Sequence, residues 1–233
     1  MISQEMGHGI ALRNISKSVE TMRGKKVVLR DVNYEFPGNR ISTITGKSGS
    51  GKTTLLNIIG LLDNCFDGDL FVFGHRVTLS NWRRIRSLRA HFISFLFQDN
   101  LLFDELNVVS NIALPLECRR VEHKVRKLVA EEASEMVGIY DLRFERIQSL
   151  SAGERQRVAL ARSIVEGKPL LLMDEPTGNL DNETSAKLMH MVQDTAKICS
   201  WTVIIVTHDL SVASSVAHNL RLTRRDIKTI AEV

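Results

Sequence analysis

The sequence predicts an α/β domain, a mostly parallel sheet with helices on both faces and a helical segment inserted into it. Three observations predict it. Short, wholly apolar runs, each followed by polar or turn residues, read as buried strands. Stretches with mixed faces lie between them, and alternation of this kind builds a parallel sheet. One segment, about residues 100–148, is helical in pattern throughout and carries no strand signal.

Taken in order, the strands are expected at Ile41–Ile44, Ile93–Phe97, Leu170–Met173 and Val203–Val206. Each is too short and too apolar for an independent helix. Helices are expected at Thr53–Leu62, Val121–Val137 and Glu154–Val165. The expected organisation is one domain over 1–233, with a core of about 1–99 and 149–233 and a helical subdomain of about 100–148. A chain of 233 residues with 43% hydrophobic and 25% charged residues can bury such a core, which excludes wholesale disorder.

The net charge of +4, from 31 basic and 27 acidic residues, is too small to mark a nucleic-acid partner, and a mixed solvated surface accounts for it. Cys65, Cys118 and Cys199 are odd in number and lack metal-ligand spacing. They are expected to be reduced, partly buried thiols of a cytosolic protein. The first residues, MISQEMGHGIALRN, contain no signal-peptide core. No apolar run approaches the roughly 20 residues that cross a bilayer.

The strongest chemical signal is Gly46-Lys47-Ser48-Gly49-Ser50-Gly51-Lys52-Thr53, a complete GxxxxGK[ST] phosphate loop between an apolar strand and a helix. Its glycines let backbone N–H groups wrap a phosphate, and the helix start adds a positive dipole. Lys52 supplies a point charge to the β- and γ-phosphates, and Thr53 a hydroxyl to Mg²⁺. The candidate nucleotide-binding residues here are Gly46, Ser48, Gly49, Ser50, Gly51, Lys52, Thr53 and Thr54.

Leu170–Met173 runs into Asp174-Glu175. Ligands of open parallel sheets sit beyond the carboxyl ends of the strands, which places Asp174 near the metal and Glu175 near the attacking water. Ile93–Phe97 ends at Gln98, a candidate for the metal and water shell, and Val203–Val206 ends at Thr207-His208-Asp209, where His208 is suited to the γ-phosphate. Alone, a strand-end Gln or Asp-Glu-Pro turn is as well explained by a satisfied surface; convergence with the phosphate loop favours chemistry.

In Leu150-Ser151-Ala152-Gly153-Glu154-Arg155-Gln156-Arg157, Ser151 and Glu154 make an S-x-x-E capping box that opens a helix. The same segment resembles the signature motif of the ABC ATPases. Phosphate loop, Gln98, signature, Asp174-Glu175, Asn179-Leu180-Asp181 and His208 follow that family's order and spacing across nearly the whole chain. The resemblance implies the ABC ATPase fold: a phosphate-loop nucleoside-triphosphatase core, an N-terminal antiparallel β part and an inserted helical subdomain. It implies ATP hydrolysis with Mg²⁺ held by Thr53, Gln98 and Asp174, and catalysis by Glu175, His208 and Gln98. It also implies an ATP-bound homodimer in which Ser151, Gly153 and Asp181 reach the partner's nucleotide.

Ala152 fills one position of the glycine pair in the usual signature, and Val19 falls where most members carry an adenine-stacking aromatic. Gly-Leu-Leu-Asp after the phosphate-loop helix, Asp-Glu-Pro-Thr-Gly-Asn-Leu-Asp and Thr-His-Asp-Leu resemble the group containing LolD, MacB and FtsE cassettes. That group implies integral membrane permease subunits as partners, periplasmic or outer-membrane components beyond them, and a cytoplasmic place peripheral to the inner membrane. Export or lipoprotein and peptide extrusion is the first expectation. FtsE-like mechanotransmission or envelope regulation is an alternative. A DNA-acting ABC ATPase is another, disfavoured because no heptad run divides Gln98 from Ser151. A nucleic-acid partner is therefore not expected.

Overall fold

The computed structural model describes residues 9–22, 24–223 and 226–229. The chain opens with two strands, β1 (Ile10–Thr21) and β2 (Gly24–Phe36), paired antiparallel from Ile10↔Phe36 to Thr21↔Gly24. β3 (Ile41–Thr45) begins a second sheet, and α1 (Lys52–Ile59) follows it. The chain then returns through β4 (Asp67–Val72) and β5 (His75–Arg76), completing an antiparallel sheet of order β2-β1-β4-β5.

Next come α2 (Trp82–Phe92), β6 (Ile93–Leu96), α3 (Val108–Cys118), α4 (His123–Met136) and α5 (Ala152–Ile164). The remaining elements are β7 (Leu170–Asp174), α6 (Asn182–Cys199), β8 (Thr202–Val206), α7 (Leu210–Ser214), β9 (His218–Leu222) and β10 (Ile227–Thr229). The second sheet has the order β10-β9-β3-β8-β7-β6. All its pairs are parallel except β10 with β9.

The strand alternation divides the core in two. Leu171, Met173, Val203 and Ile205 face one apolar cluster, shared with α3, α4, α5 and α6. Leu170, Leu172, Ile204 and Val206 face the other, shared with α1, α2 and the antiparallel sheet. A sheet covered on both faces needs apolar residues at every position, which is why these strands read as unbroken runs.

α1 is shorter than the sequence suggests, ending at Ile59 instead of Leu62. A Cβ on Gly60 would lie 1.8 Å from Phe95 Cζ, so only glycine lets α1 pass that ring. Leu61 then turns left-handed (φ 58°) and buries its side chain completely. Burial of that leucine is worth about 1.5–3 kcal/mol, enough to offset a backbone strain of about 1–3 kcal/mol. The cysteines also depart from expectation, for all three are exposed. Cys118 and Cys199 close α3 and α6, where the last residues turn away from the apolar face.

Candidate active site

Register brings the polar strand ends to one edge. Ile44 pairs with Val206, Asp174 with Val206, and Met173 with Leu96. The residues after β3, β8, β7 and β6 therefore emerge side by side at the carboxyl edge of the sheet.

The turn Gly46–Gly51 joins β3 to α1. Ser50 donates its N–H to Lys47 O at 3.0 Å, and Lys52 Nζ donates to Gly46 O at 3.0 Å, closing the loop on itself. Gly51 caps α1 in the left-handed region (φ 100°). A Cβ there would stand 2.8 Å from Leu29 Cδ2, so the antiparallel sheet presses directly on the loop. Ser50 Oγ is buried in this loop without a hydrogen-bond partner among the described residues, an orphan suited to a phosphate oxygen. Lys52 and Thr54 follow half-buried at the start of α1.

Thr53 Oγ1 donates to Asp174 Oδ1 at 3.4 Å across the sheet. Burial pushes the Asp174 carboxyl above its usual range; the Thr53 hydrogen bond opposes that, and the neighbouring Glu175 charge adds to it. Two adjacent carboxylates in a half-buried edge are an electrostatic cost that a cation offsets. Hydroxyl and carboxylate oxygens with few protein carboxylates suit Mg²⁺, which draws its remaining ligands from water and substrate phosphates. Among the described residues no cluster of three or more His, Cys, Asp or Glu forms an all-protein cage.

Glu175 sits in the left-handed region at φ 48°, an uncommon conformation for a non-glycine residue. Its N–H donates to Val206 O at 2.8 Å, which locks the turn. Its carboxylate accepts from Thr207 Oγ1 at 3.1 Å and His208 N at 3.2 Å, with His208 Nδ1 at 2.9 Å from the other oxygen. The side chain is 13% exposed whereas His208 is 72% exposed, so the carboxylate is fixed and the imidazole reaches outward. Strain held in place by several contacts is characteristic of functional turns.

Gln98 lies at the same edge with its side chain exposed and joins neither Thr53 nor Asp174. The turn after it is held from elsewhere. Asn100 and Leu101 are both left-handed, and Arg162 of α5 donates to their carbonyl oxygens. Burial pulls the Arg162 guanidinium below its ordinary range. The fully buried Asn111 then anchors the backbone of Phe103 at both N–H and C=O.

Ser151, Gly153 and Asp181 form a separate group; no hydrogen bond ties them to the phosphate loop among the described residues. Ser151 caps α5 in a full capping box: its Oγ accepts from Glu154 N at 3.3 Å, and its N–H donates to Glu154 Oε2 at 2.8 Å. The Ser151 hydroxyl also donates to that carboxylate and, with the backbone bond, holds it below the usual carboxylate range. Asp181 caps α6, accepting from Thr184 N at 2.9 Å and Thr184 Oγ1 at 2.7 Å, which lowers its carboxyl too. A Cβ on Gly153 would meet Thr184 Cγ2 at 2.8 Å. Thr184 thus links the signature glycine to the Asp181 cap.

Sequence reasoning missed Arg162 and Thr184. The only signal for Thr184 was its place three residues after Asp181, a capping position; Arg162 gave none. Gly153→Ala is expected to cost about 1–3 kcal/mol by overpacking against Thr184. Adding Thr184→Ser removes the clashing methyl but keeps the hydroxyl, and should recover most of the loss in thermal unfolding. No recovery would place the glycine requirement elsewhere.

Residues 29–178 match the family model described as ABC transporter. The chain is 32% identical to the lipoprotein-releasing system ATP-binding protein LolD of Francisella tularensis subsp. tularensis over 222 residues, 95% of this chain and 96% of the relative. It is 33% identical to the LolD of Myxococcus xanthus, over 94% of this chain and 97% of that one. Among solved structures, the dimeric bacterial ABC transporter cassette MJ0796 superposes with a TM-score of 0.86 at 29% identity, covering 96% of this chain and 100% of that chain. The post-hydrolysis dimer of the same cassette, bound to ADP and Pi, gives 0.86 at 28% identity with the same coverage.

Proposed function

Because the chain belongs to the ABC transporter family, we propose residue roles for ATP hydrolysis and a task for the energy released. The chain is an ATP-hydrolysing, ATP-binding subunit of a LolD-type ABC system. The observation that carries the residue roles is the meeting of Lys52, Thr53, Asp174, Glu175 and His208 at one sheet edge, with Thr53 against Asp174 and His208 against Glu175.

In this reading the loop Gly46–Gly51 surrounds the β- and γ-phosphates with N–H groups, and Ser48, Ser50 and Thr54 add hydroxyls. Lys52 exchanges its bond to Gly46 O for the phosphate charge. Thr53 and Asp174 would hold Mg²⁺, with Gln98 as the further candidate ligand. The ion, when bound, neutralises charge on the transferred phosphoryl group. Glu175 takes the proton of the attacking water, and His208 keeps the Glu175 carboxylate aimed while donating toward the γ-phosphate.

Two copies of the chain close on two nucleotides, with Ser151, Gly153 and Asp181 of each facing the partner's phosphate loop. The α5 N-terminus adds its positive end there. Residues 100–148 act as the helical subdomain between the site and the membrane subunits, through the Arg162-held turn after Gln98. No described helix is long and apolar enough to cross a membrane, so separate membrane subunits carry that task. We place the chain at the cytoplasmic face of the inner membrane, powering export or lipoprotein extrusion, with periplasmic components beyond the permease. Tagged chain purified from membranes should bring integral membrane subunits, and the reconstituted assembly should release lipoprotein only with hydrolysable ATP. Release that is indifferent to ATP, or an assembly that moves no lipoprotein, would contradict the assigned task.

Val19 is 37% exposed on β1 opposite Lys26, in the ribbon whose Val28 and Leu29 touch Gly51. Val19→Tyr is expected to tighten ATP by about 1–3 kcal/mol through base stacking. Calorimetry showing equal or weaker affinity would remove Val19 from the adenine position.

A further inference from the structure

The chain's whole positive excess sits in one helix. The net charge is +4, and α2 carries Arg83, Arg84, Arg86 and Arg89 with no acidic residue, so the remainder of the chain is balanced. Ile85 and Leu88 bury one side of α2, and Asn81 caps its start by accepting from Arg84 N, which fixes the helix on the fold. Arg89 turns back to donate to Leu61 O at 3.1 Å. Arg83, Arg84 and Arg86 are exposed, and none has an ion-pair partner among the described residues.

Trp82 stands at the head of this face, 58% exposed. The Arg83 and Arg86 guanidinium carbons lie 5.8 and 5.4 Å from its ring centroid, gathering cations and indole into one patch. The arrangement is unfavourable by itself. Cations in a first helical turn oppose the helix dipole, like charges repel, and an exposed indole forgoes burial. An anionic partner with an apolar layer behind it relieves all of these at once. Phospholipid headgroups have that chemistry: indoles settle at the membrane interface, and arginines are drawn to anionic leaflets. A nucleic-acid duplex would offer phosphates to the arginines, but its stacked bases give the indole no apolar layer to enter.

We propose that Trp82, Arg83 and Arg86 of α2 dock on anionic phospholipid headgroups of the membrane at which the subunit works. The proposal rests on the family reading only in requiring a membrane nearby. Its test uses the chain alone, so its failure would leave the ATPase assignment standing.

Purified full-length chain is mixed with vesicles of phosphatidylglycerol and phosphatidylcholine in equal parts, or of phosphatidylcholine alone. It should sediment with the anionic vesicles, less so as salt rises. Trp82 emission should shift to the blue, while Trp201, only 7% exposed, stays silent. Trp82→Phe should abolish the shift. Combined Arg83→Gln and Arg86→Gln should lower partitioning ~25-fold, at roughly fivefold per arginine, with the ATPase rate unchanged. Equal binding to neutral vesicles, wild-type partitioning by the double variant, or no emission shift would overturn the proposal. Tighter binding to duplex DNA or to an acidic peptide than to the vesicles would also overturn it.

Discussion

Glu175→Gln is expected to hydrolyse ATP ~10²–10⁴-fold more slowly than the wild-type chain while still binding nucleotide. The carboxylate is fixed by Thr207 Oγ1, His208 N and His208 Nδ1, on a backbone turn held left-handed at φ 48°. A glutamine in that place keeps the volume and still accepts from Thr207, so the turn survives. What it loses is the ability to take a proton from water. The proposed phosphate contacts lie on other elements, in Lys52 and Thr53 of α1 and the loop backbone before it, and are untouched. Single-turnover phosphate release separates the two effects. A normal rate would remove Glu175 from the role of base.

Lys52→Ala should weaken ATP by about 2–5 kcal/mol, a loss of roughly 30- to 5,000-fold in affinity, because the buried phosphate charge loses its main cationic partner. The fold should survive. Among the described residues Lys52 Nζ makes one hydrogen bond, to Gly46 O, worth about 0.5–1.5 kcal/mol net. Circular dichroism should therefore overlay the wild type while calorimetric titration with ATP goes flat. Unchanged affinity would overturn the phosphate-loop assignment.

The parallel half of the fold was legible because β7 and β8 are buried on both faces and so carry the unbroken apolar runs Leu170–Met173 and Val203–Val206. The antiparallel half was reached only through the family resemblance. Its buried residues on β2 are Leu29, Val32 and Phe36, spaced three and four apart as on a helix. Asp31 explains the spacing: it turns left-handed at φ 50°, Asn14 does the same on β1 at φ 54°, and the strand register shifts nearby. A bulge inserts a residue and breaks the period of two. The motifs placed the site residues in sequence but were silent on how the chain holds them. Nothing local in Glu175 announces its left-handed turn, and Arg162 reaches Asn100 and Leu101 across some sixty residues of chain. Long-range clasps of this kind are properties of the packed chain.

Two such sites are expected to close face to face on ATP, and light scattering on Glu175→Gln reads that closure. With hydrolysis blocked, ATP should convert the monomer to a dimer. Adding Ser151→Arg should abolish the dimer while leaving ATP bound at each phosphate loop. The long cationic side chain would replace the Ser151 hydroxyl in the capping box at the α5 start, which the proposed dimer sets against the partner's nucleotide. A mass that stays monomeric with ATP, or a dimer indifferent to both ATP and Ser151→Arg, would contradict that closure.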